Sequence, residues 1–245
     1  MGVTQSPSAG RTAVNHPGHN HLLSVLPRAE RERIMDRGHR RTLKLRQVLH
    51  SANGPVTHAH FPLTGMISLV AKSSVGAAAV EVGVVGNEGL VGMPLFLGSG
   101  TMPTEAVCQV EGEALCLAAT TFQEELEASR ALRDLLQRYT QALISQVSQA
   151  VVCNTAHTVE QRMSRWLLVT HDRVGADVMP LTHELLAQML GTRRPSVTIA
   201  AGVLRKAGLI DYARGKIIML NRPGLEAASC DCYAVVRREF ERLLS

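Results

Sequence analysis

The sequence predicts an α+β protein with an N-terminal antiparallel β-roll of the double-stranded β-helix or jelly-roll type. A long helix and a C-terminal winged helix-turn-helix follow it. Three observations predict this fold. Short apolar segments separated by turn residues recur from Arg41 to Leu117, and an uninterrupted helical period follows them. Residues 181–220 then combine two short amphipathic helices, a tight turn and a hairpin.

A chain of 245 residues can bury more than one core, so we expect separate domains. Residues 1–18 are rich in Ser, Thr, Gly and Pro and are expected to form a disordered tail. Residues 19–127 are expected to form the β-roll sensor domain, and residues 128–155 the long helix. Residues 156–245 complete the chain as a winged helix-turn-helix domain with an extra C-terminal helix.

The N-terminal domain opens with a short helical pattern of leucines that Pro27 interrupts. Turn signals such as Asn53-Gly54-Pro55 and Gly98-Ser99-Gly100 then separate short apolar or alternating segments, as in an antiparallel roll. The predicted strands are Thr42–Leu49, His58–Phe61, Gly65–Ala71, Ala79–Val85, Glu105–Val110 and Glu113–Leu117.

No Pro or Gly interrupts the stretch from Ser129 to Asn154, which predicts a helix of about 39 Å at a rise of ~1.5 Å per residue. Its apolar residues recur every three or four positions, and a second stripe widens the apolar face. We expect this helix to pair in parallel with a second copy, in preference to a purely internal role. The predicted dimer residues are Leu132, Leu136, Tyr139, Leu143, Val147 and Ala150.

The helix-turn-helix prediction rests on local signals between Leu181 and Leu220. Thr182 is an N-cap residue, and Gly191 follows the first short helix where a left-handed residue is usually required. Pro195 is tolerated in the first turn of the second helix. Apolar residues at helical spacing predict one small core: Leu186, Met189, Leu190, Val197, Ala201 and Leu204.

Hydroxyl and arginine side chains cluster at the start of the second helix, the end that meets bases and phosphates in this motif. Leu209–Tyr212 and Lys216–Leu220 predict a hairpin, the wing, with Arg214-Gly215 at its turn. We prefer DNA binding to a structural helical hairpin with a solvated basic end, because the independent signals agree. The predicted DNA-binding residues are Thr192, Arg193, Arg194, Ser196, Thr198, Arg214 and Lys216.

Charge and composition also favour a DNA-binding protein. The net charge is +5, and residues 156–245 hold 13 Lys and Arg against 9 Asp and Glu, so most of the excess lies in the C-terminal domain. An aromatic content of 3% disfavours a base-stacking single-strand binder. The odd count of five cysteines, with no transmembrane run or signal peptide, predicts a cytoplasmic protein with no membrane partner.

The order of roll, long helix and winged helix-turn-helix resembles the Crp/Fnr family of bacterial transcription regulators over about residues 20–220. The likeness is strongest in LTHELLAQMLGTRRPSVTIAAGVLRKAGLI and extends to HFPLTGMISLV, VEVGVVGNEGLVGMPLFLG and NHLLSVLP. The resemblance implies a homodimer that binds a palindromic operator in double-stranded DNA. It also implies a signal-sensing roll with an unidentified small-molecule effector, and RNA polymerase as a further partner.

Two departures from the family pattern affect specificity. The best-known members read bases with an Arg-Glu pair and a second Arg, but here Pro195 and Ile199 follow Arg194 in those places. We therefore assign base reading to Arg194, with Thr198 as a second candidate, and phosphate contacts to the other five residues. Members that bind cyclic nucleotides hold the phosphate with an Arg in the roll, yet residues 73–129 contain no Lys or Arg. We expect no binding of cyclic AMP in the usual pocket.

The sequence predicts no metal site and no cofactor. Cys108 and Cys116 lie in apolar strands and are expected in the core. Cys153 on the long helix is expected to be packed, with an oxidative bridge between two subunits as the alternative. Cys230 and Cys232 would point to different faces of a continuous C-terminal helix, Leu225–Leu244, which disfavours a shared metal. His58 and His60 alternate on a strand and make at most half of a metal site.

Two other functions compete with a DNA-binding regulator. A cupin-like metal-dependent enzyme with a helical appendage would need a ligand triad or an acid–base pair in the roll, and no such spacing is recognisable, so we expect no catalytic residues. A regulator that lacks ligand control and is governed by a partner protein is compatible with the missing arginine. We expect a non-enzymatic transcription regulator.

Overall fold

The computed structural model describes residues 18–72 and 79–245, so all but the last residue of the predicted tail lies outside the described part. Two antiparallel sheets form the N-terminal roll. One sheet has the strand order β1-β7-β3, formed by His39–Leu43, Gly112–Ala118 and His58–Pro62. The other has the order β2-β6-β4-β5. Its strands are Val48–His50, Glu105–Val110, Met66–Lys72 and Ala79–Val85.

The predicted strand Thr42–Leu49 is wrong, because the chain turns within it. Strand β1 ends at Leu43 and β2 begins at Val48. Arg46 between them has a left-handed backbone with φ of 63°. Its amide donates to the carbonyl of Cys108 at 2.8 Å, which ties the turn to β6. The other five predicted strands are present, with bounds that agree to within one residue.

Helices precede the roll in the sequence, interrupt it once and follow it. The N-terminal pair α1 (His21–Ser24) and α2 (Arg28–Arg37) is separated at Pro27, as predicted. Within the roll, α3 (Met93–Leu97) connects β5 and β6, and α4 (Ala119–Ala128) follows β7. Neither of these two helices was predicted from the sequence. Leu22, Phe61 and Phe122 are fully buried in the cluster that joins these helices to the roll.

The long helix α5 spans Arg130–Ala156. It begins where the Ser129 hydroxyl accepts a hydrogen bond from the Leu132 amide at 2.9 Å. Leu132, Leu136 and Tyr139, half of the predicted dimer stripe, have no solvent exposure and pack against the roll within the same chain. These three residues are therefore inaccessible to a second copy. The remaining three, Leu143, Val147 and Ala150, are half-buried.

The C-terminal domain follows the predicted order. Helix α6 (Val159–Val174) starts at a Thr158–Gln161 capping box and leads to α7 (His183–Met189) and α8 (Arg194–Lys206). Strands β9 (Ile210–Ala213) and β10 (Lys216–Met219) form the wing hairpin. A two-residue strand, β8 (Val178–Met179), pairs with β10 and makes a third strand that was not predicted.

The predicted continuous C-terminal helix is two helices. Helix α9 (Arg222–Ala228) ends at Ser229, whose extended backbone has ψ of 163°, and α10 (Cys232–Leu244) begins three residues later. Helix α10 packs against α5, and its Val236 and Phe240 join the core cluster of the roll. The last helix thus returns to the N-terminal domain. None of the helices described in residues 18–72 and 79–245 is both long and apolar enough to cross a bilayer.

Buried polar contacts connect the roll to α6. The Glu81 carboxylate on β5 accepts hydrogen bonds from the Trp166 indole at 2.7 Å and the Ser68 hydroxyl at 2.5 Å. Half-buried Arg173 of α6 forms an ion pair with buried Glu88 at 2.8 Å. Since buried polar groups need partners, these contacts require the two domains to dock in one orientation.

Burial raises the pKa of Glu81 to about 7, although the Ser68 and Trp166 hydrogen bonds oppose the rise. An unfolded glutamate titrates near pH 4.3. Between these values the folded state holds a proton that the unfolded state has released, so this group makes stability fall as pH rises from about 4.3 to 7. We expect Glu81→Gln to stabilise the fold at pH 8 by an amount on the order of 1–3 kcal/mol and to change little at pH 4.

Differential scanning calorimetry at both pH values measures this effect. Exposed Glu127, replaced by Gln, is the matched control and should change neither midpoint. An equal shift for Glu81→Gln at pH 4 and pH 8 would contradict the proton linkage and assign the effect to packing.

Candidate nucleic-acid interface

Helices α7 and α8 meet at a tight turn built from local interactions. The Thr182 hydroxyl caps α7 by accepting from the Leu185 amide at 3.2 Å. Gly191 is left-handed with φ of 56°, and the Thr192 amide donates to the Ala187 carbonyl at 2.9 Å. The guanidinium of Arg162 on α6 also donates to the Leu190 carbonyl. The angle between the two helices is therefore held from both sides of the turn.

The predicted small core beneath the turn is present. All six predicted core residues are buried, and so is Ala187, where α7 and α8 approach each other. Burying this face of α8 turns its opposite face to solvent. Ile199 and Val203 on that opposite face are 66% and 51% exposed.

The predicted DNA-binding residues lie at the surface around the start of α8 and on the wing. Arg193, Arg194 and Thr198 are exposed, whereas Thr192 and Ser196 are half-buried. Arg193 is the N-cap residue and Arg194 the first residue of α8, so the start of the helix presents both guanidinium groups. Pro195 has no backbone N–H, and the Ser196 amide donates to the Arg193 carbonyl at 3.0 Å, so the arginine side chains supply the donors that suit a phosphate or a base edge.

Four of these side chains are cations without a carboxylate partner. They are Arg193, Arg194, Arg214 and Lys216, and within residues 18–72 and 79–245 no Asp or Glu lies within ion-pair distance of any of them. By contrast, Arg205 at the other end of α8 is paired with Asp211 at 2.8 Å, and Arg222 is paired with Asp172 at 2.6 Å. These four unpaired cations lie where the sequence predicted the interface.

The wing turn has the geometry of a tight hairpin. Arg214 and Gly215 both have positive φ, of 49° and 76°, as a two-residue type I′ turn requires. The turn leaves the Arg214 side chain exposed at the tip. Lys216 follows at the start of β10 and is also exposed.

His183 connects the wing to α8, a role that was not predicted from the sequence. Its ring stacks on Tyr212 of β9, with centroids 4.2 Å apart. Its Nδ1 lies 3.0 Å from the Thr198 hydroxyl, which itself donates to the Arg194 carbonyl at 3.1 Å. Burial and the charge of Arg194 lower the pKa of His183, so the ring is neutral at pH 7. No local pattern identifies this residue, since its contacts come from different elements.

Among the described residues of the roll, no buried Lys or Arg supplies the cation that an anionic ligand would need. His50 and His60 are buried there, and burial lowers the pKa of His60 to about 4, so it is uncharged at neutral pH. The one Arg or Lys buried among the described residues is Arg162, which lies on α6. Cys108 and Cys116 are buried strand residues, as expected.

Comparison with known proteins agrees with this geometry. Residues 161–228 match the Crp-like helix-turn-helix domain. Over 180 residues the chain is 28% identical to the transcriptional regulator SdrP of Thermus thermophilus, covering 71% of this chain and 84% of that protein. The chain therefore contains a Crp-like helix-turn-helix domain and is similar to a bacterial transcriptional regulator over most of its length.

Solved structures of Crp/Fnr regulators share the fold of the chain as a whole. FixK2 of Bradyrhizobium japonicum superposes with a TM-score of 0.67 at 14% identity, covering 79% of this chain and 98% of FixK2. A protein of Eubacterium rectale described as a crp/fnr-family regulator superposes with a TM-score of 0.65 at 18% identity, covering 84% of this chain and 96% of that one. The predicted fold class, a roll with a long helix and a winged helix-turn-helix, is confirmed.

Proposed function

We propose that this transcription regulator binds a two-fold-symmetric operator as a homodimer, with α8 in the major groove and the wing on the backbone. The observation that carries the proposal is the set of four exposed cations without carboxylate partners, in the described chain, at the start of α8 and on the wing. Pairing with phosphates would neutralise them and release condensed counterions, the main source of affinity for DNA.

Within this interface we assign base reading to Arg194. Its position in the first turn of α8 places it among the residues that reach base edges in helix-turn-helix proteins. The hydroxyl hydrogen of Thr198 has an acceptor inside the protein, the Arg194 carbonyl, which leaves its methyl group and a lone pair for DNA. Ile199 is exposed one residue later and suits the methyl group of a thymine.

The second half of α5 supports a revised dimer surface. Ile144, Val151 and Val152 lie in the second half of α5, are apolar and are 60%, 62% and 47% exposed. Ile144 and Val151 are seven residues apart, the heptad spacing of a two-stranded coiled coil. We propose that this stripe, flanked by Val147, pairs with its copy so that two α8 helices meet half-sites about 34–36 Å apart.

We also propose that the roll does not bind cyclic AMP and that the chain has no catalytic activity. Among its described residues the roll contains no buried cation for the cyclic phosphate, and its buried His60 is neutral. In the described residues, the one group of His, Cys, Asp or Glu close enough to share a metal lies outside the roll. A cupin-like enzyme therefore has no support in this geometry, whereas control by another effector or by a partner protein, RNA polymerase included, is compatible with it.

In vitro selection of bound duplexes tests the function directly. The purified chain is incubated with random duplexes at two salt concentrations, with and without a panel of cyclic nucleotides. We expect a palindromic site, a steep decrease of affinity at the higher salt concentration, and no change with cyclic AMP. Recovery of no preferred sequence at low salt would contradict the proposal.

Arg194→Ala should cost about 1–3 kcal/mol in binding free energy and relax specificity at one base pair in each half-site.

Lys216→Ala should weaken binding on all sequences alike and lower the salt slope by ~1 for each phosphate that the lysine neutralises. Arg205→Ala is the matched control, because its guanidinium lies at the far end of α8 and is already paired with Asp211. Fluorescence anisotropy on selected and mismatched duplexes separates these outcomes, and a uniform weakening for Arg194→Ala would exclude base reading.

Replacing Ile144 and Val151 together by Glu should convert the dimer to a monomer, since like charges would face each other across the proposed seam. Sedimentation equilibrium measures the mass directly. Leu97→Glu is the control, because Leu97 is 61% exposed on α3, away from α5. A double variant that stays dimeric would place the interface elsewhere.

A further inference from the structure

Four side chains with metal-ligand chemistry meet where α5 ends. Cys153 and His157 are one helical turn apart at the C-terminal end of α5. Cys230 lies in the break between α9 and α10, and Cys232 is the first residue of α10. One ligand atom from each residue lies within 4.8 Å of all the others. Two segments more than 70 residues apart in sequence thus converge on one point.

Two ligand separations in this cluster match those around a single tetrahedral ion. The Sγ atoms of Cys153 and Cys230 are 3.6 Å apart, and Cys232 Sγ is 3.5 Å from His157 Nδ1. With Zn–S bonds of ~2.3 Å and Zn–N bonds of ~2.0 Å, tetrahedral geometry requires ligand separations of about 3.5–3.8 Å. A cluster of two or four irons would bind these ligands to different iron atoms and spread them further apart.

We propose that Cys153, His157, Cys230 and Cys232 form a closed four-ligand site for a thiophilic divalent metal ion of the zinc class. Three thiolates and one imidazole are a frequent donor set of structural zinc, and four protein ligands leave no open position for catalysis. This site is separate from the DNA-binding surface and from the roll interior.

The surroundings of the cluster suit bound thiolates. Three thiolates on a divalent ion leave one negative charge, and Arg165 Nε donates to Cys153 Sγ at 3.2 Å. Gln149 Nε2 donates to Cys232 Sγ at 3.1 Å. Asp231 lies 3.7 Å from His157 Nε2, the ring nitrogen opposite the one that faces Cys232. A carboxylate on that side of a ligating histidine orients the ring and favours the tautomer that binds metal.

The local fold is arranged around these thiols. The three cysteines are buried and form a cluster of their own, without leucine or valine side chains among them. The break after Ala228 separates Cys230 from the regular helix, so that it and Cys232 both reach Cys153. A bound ion would therefore fasten the start of α10 to the junction of α5 and α6, where the roll and the DNA-binding domain are connected.

The cluster bears on two expectations from the sequence. Cys153 is packed, as expected: its thiol has no solvent exposure and faces Cys230 of the same chain, so the alternative of a bridge between two subunits has no support here. Cys230 and Cys232 converge on one point, whereas a continuous helix would have separated them. The expected absence of a metal site rested on that continuous helix.

Metal analysis of the full-length chain tests the proposal. The protein is purified under reducing conditions, dialysed against weak chelator and examined by inductively coupled plasma mass spectrometry. We expect about one zinc ion per chain in the wild type. Cys230→Ser and His157→Ala should lose the ion, while His157→Cys, which keeps a ligand, should retain it. Cys108→Ala is the matched control, because Cys108 is an equally buried thiol in the roll.

Two further measurements keep the test decisive if a variant folds poorly. Adding zinc to the metal-free wild type and to Cys108→Ala should raise the melting temperature, whereas Cys230→Ser should not respond. Cobalt added in place of zinc should produce the visible absorption of a tetrahedral thiolate complex. Zinc content that is substoichiometric and equal in the wild type and Cys230→Ser would overturn the proposal. Iron with acid-labile sulfide, or a Cys153–Cys230 disulfide in freshly alkylated protein, would also overturn it.

Discussion

The architecture depends on the burial of the first half of α5 against the roll. Leu132, Leu136 and Tyr139 are fully enclosed, and the Tyr139 hydroxyl donates to the Leu90 carbonyl at 3.2 Å. Each apolar side chain of this size contributes roughly 1.5–3 kcal/mol when buried, so this packing sets the direction of the whole helix. The second half of α5 keeps Ile144 and Val151 exposed. One helix is thus both part of the domain core and a free surface.

The same docking determines where the DNA-binding domain lies. Gln146 on α5 accepts a hydrogen bond from the Val84 amide at 2.6 Å, next to the hydrogen bond of Glu81 with Trp166 and the ion pair of Glu88 with Arg173. All three interactions involve β5 or the turn that follows it. A change at this edge of the roll would alter hydrogen bonds that position α6, and α6 in turn supports α7 through Arg162. A physical connection therefore runs from the roll to the turn before α8.

Electrostatics divides the arginines of the C-terminal domain into two groups. Arg205 and Arg222 are paired with carboxylates and stabilise the domain itself. Arg193 and Arg194 have no such partner in the described chain and lie at the positive end of α8. The thiol and imidazole cluster near α10 is different again, because it is buried and its donors suit a soft metal ion. DNA recognition and metal binding are thus assigned to separate parts of the structure.

The helix-turn-helix could be predicted from the sequence because its signals are local. The Thr182 cap, the left-handed Gly191 and the Arg214-Gly215 turn each depend on neighbours a few residues away. Most roll strands were predictable for the same reason, since a short apolar run and the turn residues that bound it belong to one segment. The positions of the predicted DNA-binding residues at the surface followed from the amphipathic pattern of α8.

Tertiary contacts alone decided how the helices and strands pack against one another. Periodicity shows that α5 has an apolar face, but it cannot distinguish burial against the roll from pairing with a second copy, because both exclude water equally. The break at Ser229 places Cys230 beside Cys153, and the strand β8 exists only because β10 is there to pair with it. The sequence therefore determined most of the helices and strands and the residues that we propose to contact DNA. The structure decided which faces meet, since those contacts join residues far apart in the chain.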